Sequence, residues 1–373
     1  MRLIIDNTIL NAGGGIQVAI SFLNDLKELN LPHEYHIIQS PNIALQLDKT
    51  IFPKNFKFYN LSSSQHKSIV KRYRVTKTLE DKIKPDCIFT VFGPSYHKSN
   101  YPKIVGFALP YIIYPNSPFF DQIALKEKIK YRLMDLVKTF FFNRNSDALV
   151  FESDDARQIF TKKLKRDIKT YTVNNTLNAV FDGYKVNENR KRSECFNILC
   201  LSANYPHKNL NIIPKIIDYV IQMKPDLKFK FNISANKTDF NFDAQYDQYI
   251  NYLGRVDLEN LPKLYESMDV LIMPTLLEVF STTYLEAMYM QIPIVCSDMS
   301  FARDICAEAA LYCKPTNAKD YANKILMLYE DTNLSKDLVD KGMKNLKRFG
   351  NSMDRTKSYL KIIKEITNAN NQK

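Results

Sequence analysis

Glu278 and Glu286 stand eight residues apart, and the stretch between them carries three consecutive hydroxyl side chains, Ser281, Thr282 and Thr283. Residues 269–274 before them read as a buried strand, and the apolar residues after them take a helical period. The spacing predicts Glu278 on a strand-to-helix loop and Glu286 in the first turn of the helix. A helix N-terminus presents unpaired N–H groups and partial positive charge, which favours a phosphate. Two carboxylates beside it can accept from hydroxyls, so the expected ligand carries both groups, as a sugar nucleotide does. The alternative for Glu286 is a capping box with Thr283, in which the carboxylate binds the helix's own first backbone N–H. That alternative leaves Glu278 and the hydroxyl run without a role.

Lys208, in the stretch Asn204-Tyr-Pro-His-Lys-Asn209, is expected directly after a strand and at the start of the next helix. A cation there opposes the helix dipole unless an anion lies between them, and a diphosphate would be such an anion. The alternative is a solvated surface lysine. Gly13-Gly14-Gly15 takes three of the nine glycines in the chain and falls between the first strand and the first helix, expected to begin near Gly15. Glycine lets backbone approach a ligand closely. The run does not fit the G-x-G-x-x-G dinucleotide fingerprint, and a flexible loop is its alternative.

These residues need a scaffold. Strand patterns fall at 2–6, 35–39, 57–59, 86–91, 103–107, 148–151 and 170–173, then at 196–201, 228–233, 270–273, 293–296 and 310–313. Helical periods lie between them, clearest in Ile16, Ala19, Ile20, Leu23 and Leu26. Such alternation predicts an α/β fold with parallel sheets wrapped by helices. Residues 182–194 carry seven charged side chains and interrupt the alternation. We therefore expect two doubly wound, Rossmann-like domains of similar size, 1–181 and 196–350, facing across a cleft and joined by a linker at 182–195. A last helix near 352–367, within 351–373, is expected to cross back to the first domain. Ligands of such sheets bind beyond the carboxyl ends of the strands.

At 373 residues, two cores are the default. The longest apolar run, 104–114, is broken by Gly106 and Pro110 and is too short to span a bilayer. The chain opens on a strand pattern rather than a signal peptide. Six scattered cysteines without a C-x-x-C pair read as reduced thiols, so a cytoplasmic location is expected. A net charge of +12 suits nucleic acid, anionic lipid or a polyphosphate. No zinc-finger spacing, ribonucleoprotein motif or arginine-rich tail supports nucleic acid.

Glu278, Phe280 and Leu285-Glu286-Ala287-Met288 resemble the E-x7-E signature of retaining glycosyltransferases of family 4, which have the GT-B fold. Tyr252-Leu-Gly254, Leu261 to Tyr265, Asp269, Pro274, Pro293-Ile-Val and Asp304 keep the order of that family, and the likeness covers most of 196–330. Many relatives build capsular polysaccharide or lipopolysaccharide. The resemblance implies that Glu278 grips hydroxyls of the donor sugar and Glu286 the ribose. Ser281, Thr282 and Thr283 would offer backbone N–H groups to the phosphates, with Phe280 beside them. Lys208 would neutralise the departing diphosphate, Gly14 and Gly15 would approach it from the other domain, and Gly254-Arg255 would lie near the base. It also implies a hexosyl transfer with retention, by front-face attack with a phosphate oxygen helping to take the acceptor proton. With no D-x-D motif, neither a metal nor a cofactor is expected. The acceptor would be an oligosaccharide or a lipid-linked glycan.

The sequence departs from that family in three places. Ser202-Ala203 stands where Gly-Arg is common, and Arg255, His207 or Asn204 are the candidates to compensate. Val279 replaces a usual glycine. On the acceptor side, Gly106 to Pro110 lacks the common histidine, leaving His97 as a stand-in or a solvated loop residue. Two basic segments, 65–84 and 126–142, the latter ending in Phe140-Phe-Phe142, suit peripheral contact with the inner face of an anionic membrane. Their alternative is two solvated helix faces with the phenylalanines turned inward. The rival functions are an inactive sugar-nucleotide-binding partner of another transferase and a nucleotide-sugar epimerase of the same architecture.

Overall fold

The computed structural model describes residues 1–187 and 193–371. The linker expected at 182–195 thus falls partly outside the described residues. Two compact units are present: 1–113 with 126–175 and 351–373, and 114–125 with 176–350.

The first unit is built on seven parallel strands in the order β3-β2-β1-β4-β5-β6-β7. They are β1 (Arg2–Asn7), β2 (Glu34–Gln39), β3 (Phe56–Asn60), β4 (Cys87–Thr90), β5 (Lys103–Phe107), β6 (Ala148–Phe151) and β7 (Lys169–Thr172). Successive side chains of β1 point to opposite faces, and both faces are covered: Leu3 and Ile5 enter one apolar cluster and Ile4 another. A parallel sheet buried on both sides needs near-continuous apolar strands, which is why β1, β4 and β6 were readable as strands. The helix Ser352–Asn371 belongs to this unit. Tyr359 packs with Phe22 and Phe89 at ring separations of 5.5 and 5.0 Å. Arg355 donates to Asn175 Oδ1 and Ser21 Oγ at 2.6 and 2.8 Å.

The second unit has six parallel strands ordered β10-β9-β8-β11-β12-β13. These are β8 (Phe196–Cys200), β9 (Phe229–Ile233), β10 (Ile250–Tyr252), β11 (Val270–Met273), β12 (Ile294–Ser297) and β13 (Ala310–Cys313). The strand β10 was not anticipated; it has three residues at the sheet edge, where little apolar patterning is required. The helix Ile213–Met223 buries Ile213, Ile216, Ile217 and Val220, the i, i+3, i+4, i+7 stripe of a helix packed on a sheet. Residues 114–125 and 176–181 belong here, although sequence order alone groups them with the first seven strands. Side-chain contacts give the reason. Ser117 Oγ donates to Leu276 O at 2.5 Å, and the Tyr114 and Phe301 rings lie 5.6 Å apart. Phe181 is buried edge-on against Tyr265 and Tyr289 at 6.0 and 5.9 Å.

Candidate functional site

In the second sheet, β8 and β11 are neighbours from which the chain winds outward in opposite directions, and such a switch point opens a crevice at the carboxyl ends of the strands. The segments that follow these two strands carry Lys208 and Glu278. Their side chains meet: Lys208 Nζ donates to Glu278 Oε2, with both groups mostly shielded from water. The solvated-lysine alternative is thereby removed. Backbone contact ties the two loops together as well, since Leu276 N–H donates to His207 O at 2.8 Å.

Contrary to expectation, Lys208 does not stand at the start of a helix. It closes a 3-10 turn, Pro206–Lys208, and the helix Ile213–Met223 starts only after a second turn, Leu210–Ile212. Asn209, in the left-handed conformation at φ 57°, breaks the path between Lys208 and that helix. The lysine is therefore positioned by its ion pair and not by the helix dipole. His207 stacks on Tyr205 at 5.7 Å. Burial, reinforced by the Lys208 charge, holds its imidazole below its ordinary pKa, so it is neutral at pH 7.

The helix Thr282–Tyr289 starts where the hydroxyl run predicts. Its N-cap, Ser281, makes no side-chain capping hydrogen bond. No capping box forms, because Glu286 turns elsewhere: Tyr265 Oη donates to its Oε2 at 2.9 Å and Thr282 Oγ1 to its Oε1 at 3.3 Å. Glu286 is only 5% exposed. Burial pushes its carboxyl up to about 7, against the opposing pull of the Tyr265 and Thr282 hydrogen bonds. Tyr265, quoted in the motif stretch without a role, is the residue that holds it. Phe280 is buried, its ring edge-on to Phe349 at 5.8 Å.

A cavity of about 390 Å³ opens at the carboxyl ends of β8 and β9 and beyond β10. Leu201, Ala203, Ser234, Asn236, Asp239 and Arg255 line it. That volume is in the range of small-molecule sites. Asn204 Nδ2 donates to Asp239 O at 2.5 Å, fixing one wall, while the exposed Arg255 follows Gly254. Gly254 sits at φ 65° with its N–H on Ala235 O at 3.2 Å, a conformation that favours glycine. Ser234, Asn236 and Asp239 were not singled out in the sequence. The one local signal is the Asn236-x-x-Asp239 pattern, realised as a capping box.

Gly14, Gly15 and His97 belong to the first unit. The helix Gly14–Leu29 begins at Gly14, one residue earlier than expected, and Gly13 caps it at φ 71°, ψ −155°. His97 is not a solvated loop residue. Its Nε2 lies 2.8 Å from Glu80 Oε2 and 3.1 Å from Lys103 Nζ, and all three side chains are buried. Lys103 also donates to Ser95 Oγ at 3.2 Å and His97 O at 2.9 Å, and desolvation lowers its pKa to about 8. Among the described residues, no group of three or more histidine, cysteine or acidic side chains is placed to hold a metal ion.

Residues 186–345 match the family described as Glycosyl transferases group 1. A stretch of 101 residues is 30% identical to O-antigen chain mannosyltransferase B of Escherichia coli, covering 27% of this chain and 26% of that protein. The matched stretch thus spans about a quarter of that relative's length. Sucrose-phosphate synthase from Thermosynechococcus elongatus superposes at a TM-score of 0.74 over 99% of both chains, with 14% identity. HepE from Anabaena, solved with UDP and glucose, superposes at 0.71 over 98% of this chain and all of its own, again at 14% identity. Those likenesses are of fold. The chain therefore has the two-domain GT-B architecture of these enzymes, with a stretch similar to Glycosyl transferases group 1 over residues 186–345.

Proposed function

We propose that the chain is a glycosyltransferase of family 4 that moves a hexose from a nucleotide-diphosphate sugar to a growing surface polysaccharide. The acceptor is an oligosaccharide or a glycan carried on a lipid, met at the cytoplasmic face of an anionic membrane. Transfer proceeds with retention. The observation that carries this reading is the Lys208–Glu278 pair at the β8/β11 switch point, beside a helix whose first residue lacks a side-chain cap. A site that takes a diphosphate needs a cation, and a lysine shielded from water is costly unless it is paired. Glu278 neutralises it until the donor arrives. The diphosphate then takes over Lys208, and Glu278 is released to accept hydroxyls of the donor sugar.

Charge developing on the leaving diphosphate is met by Lys208 and by N–H groups at the start of the helix Thr282–Tyr289, both fixed before reaction. No cofactor or metal is needed for that step. Glu286, on the same helix, accepts from the ribose, and the cavity rimmed by Arg255 takes the base. The HepE complex with UDP and glucose and the O-antigen mannosyltransferase match support a nucleotide sugar and a polysaccharide product. The test is release of free nucleotide from a panel of UDP-, GDP- and ADP-sugars in the presence of glycan acceptors. The reading holds if one donor turns over and Lys208→Ala slows that turnover by about 10²-fold or more. It fails if no donor binds, or if the variant works at the wild-type rate.

A further inference from the structure

The helix Leu125–Asn145 buries Phe142 but turns a second apolar stripe outward. Ile129, Leu133, Leu136, Val137 and Phe140 each expose half their surface or more. Their steps of four, three, one and three place them along one line of the helix. Lys130 and Arg132, both exposed, flank that line, and exposed Lys126 and Arg144 stand at its ends. The helix as a whole has six basic and two acidic side chains.

A second basic element lies nearby, joined to this helix through Tyr96. Tyr96 packs edge-on to Phe141 at 5.0 Å, and the Arg72 guanidinium lies 5.7 Å from the centre of the Tyr96 ring. Arg72 belongs to the helix Ile69–Ile83, whose first turns expose Ile69, Val70 and Tyr73 among Lys71 and Arg74. Phe140 thus faces out, while Phe141 and Phe142 turn inward, so the phenylalanine run divides between the two roles read for it. Monomeric proteins seldom expose apolar side chains contiguously along a helix without covering them.

We propose that this face of the first unit, led by the stripe on Leu125–Asn145, docks on an anionic phospholipid bilayer. The helix would lie in the interface plane, its apolar stripe among the acyl chains and its lysines and arginines at the phosphates. Basic side chains can bury their stems and keep their charge at headgroup level. Charge decides against a second copy of the chain as the occupant, because two such basic faces would repel. Among the described residues, no helix is long and apolar enough to cross a membrane. The proposal gives a location to the lipid-carried acceptor, yet the face lies wholly in the unit that lacks Lys208 and Glu278.

The test is flotation of the full chain with vesicles of phosphatidylcholine alone or mixed with phosphatidylglycerol, at physiological ionic strength. The wild type floats with the mixed vesicles and not with phosphatidylcholine alone. Leu133→Glu/Leu136→Glu and Lys130→Glu/Arg132→Glu each lose roughly tenfold or more in partitioning. Both variants change exposed positions and keep wild-type nucleotide binding. The proposal is overturned if the wild type stays unbound, or if both variants float undiminished. It also falls if light scattering shows a dimer that Leu133→Glu/Leu136→Glu dissolves, which would make a second copy the occupant. Flotation without any donor binding would sink the transferase reading and leave this surface standing.

Discussion

Glu286 is a carboxyl kept where a neutral group would be more stable, and Glu286→Gln measures the cost. Its pKa rises from 4.5 to about 7 on folding. A raised carboxyl favours the protonated form in the folded state. The contribution to stability is therefore fully present below pH 4.5 and lost as pH climbs through 7. At about 1.4 kcal/mol per unit, the penalty is about 1 kcal/mol at pH 5 and about 3 kcal/mol at pH 8.5. Glutamine keeps the shape and carries no charge, and the hydroxyls of Tyr265 and Thr282 can rotate to accept from its amide. Glu286→Gln should then raise the melting temperature of the second unit by several degrees at pH 8.5, at most about 10 °C, and by far less at pH 5. Thermal unfolding followed by circular dichroism at both pH values reads this directly. A variant that is destabilised throughout, or whose gain does not grow with pH, would refute the argument. The same variant should bind nucleotide more weakly, since an amide cannot accept from two ribose hydroxyls as a carboxylate does.

Three further outcomes follow from the geometry. Tyr265→Phe removes the hydrogen bond that opposes the rise at Glu286, so the pH midpoint of nucleotide binding should move upward, which titration of affinity against pH would show. Lys208→Ala should lower kcat by about 10² to 10³-fold in a nucleotide-release assay, the usual loss for a preorganised group facing developing charge. Gly13→Ala meets no atom within 4 Å, so its cost of about 1–3 kcal/mol would come from the positive φ alone. Gly14→Ala, at an ordinary helical position, should be near neutral, and urea titration of both variants separates the two.

The strands were legible because a parallel sheet covered on both faces requires unbroken apolar runs, and Ala148–Phe151 and Val270–Met273 offered little else. The pairing of Lys208 with the Glu278 loop was also legible, because both follow strands that the alternation placed in one sheet. What escaped depended on contacts distant in sequence. Thr283 and Glu286 match a capping box by spacing, yet Tyr265, 21 residues upstream, captures the carboxylate instead. His97 reads as a loop histidine until Glu80 and Lys103 close around it. The turn at Asn209 hid the delayed start of the helix Ile213–Met223, since a left-handed asparagine leaves no mark in apolar periodicity. Residues 114–125 carry no sign that Ser117 and Tyr114 will join Leu276 and Phe301.

In the proposed function a diphosphate displaces Glu278 from Lys208. Calorimetric titration of UDP, GDP and ADP into the wild type and into Lys208→Ala tests it most directly. The wild type should bind at least one of these one-to-one, with affinity reduced at least about tenfold in the variant, as loss of a charge-assisted contact requires. Equal affinity in the two proteins, or no binding by either, would contradict it.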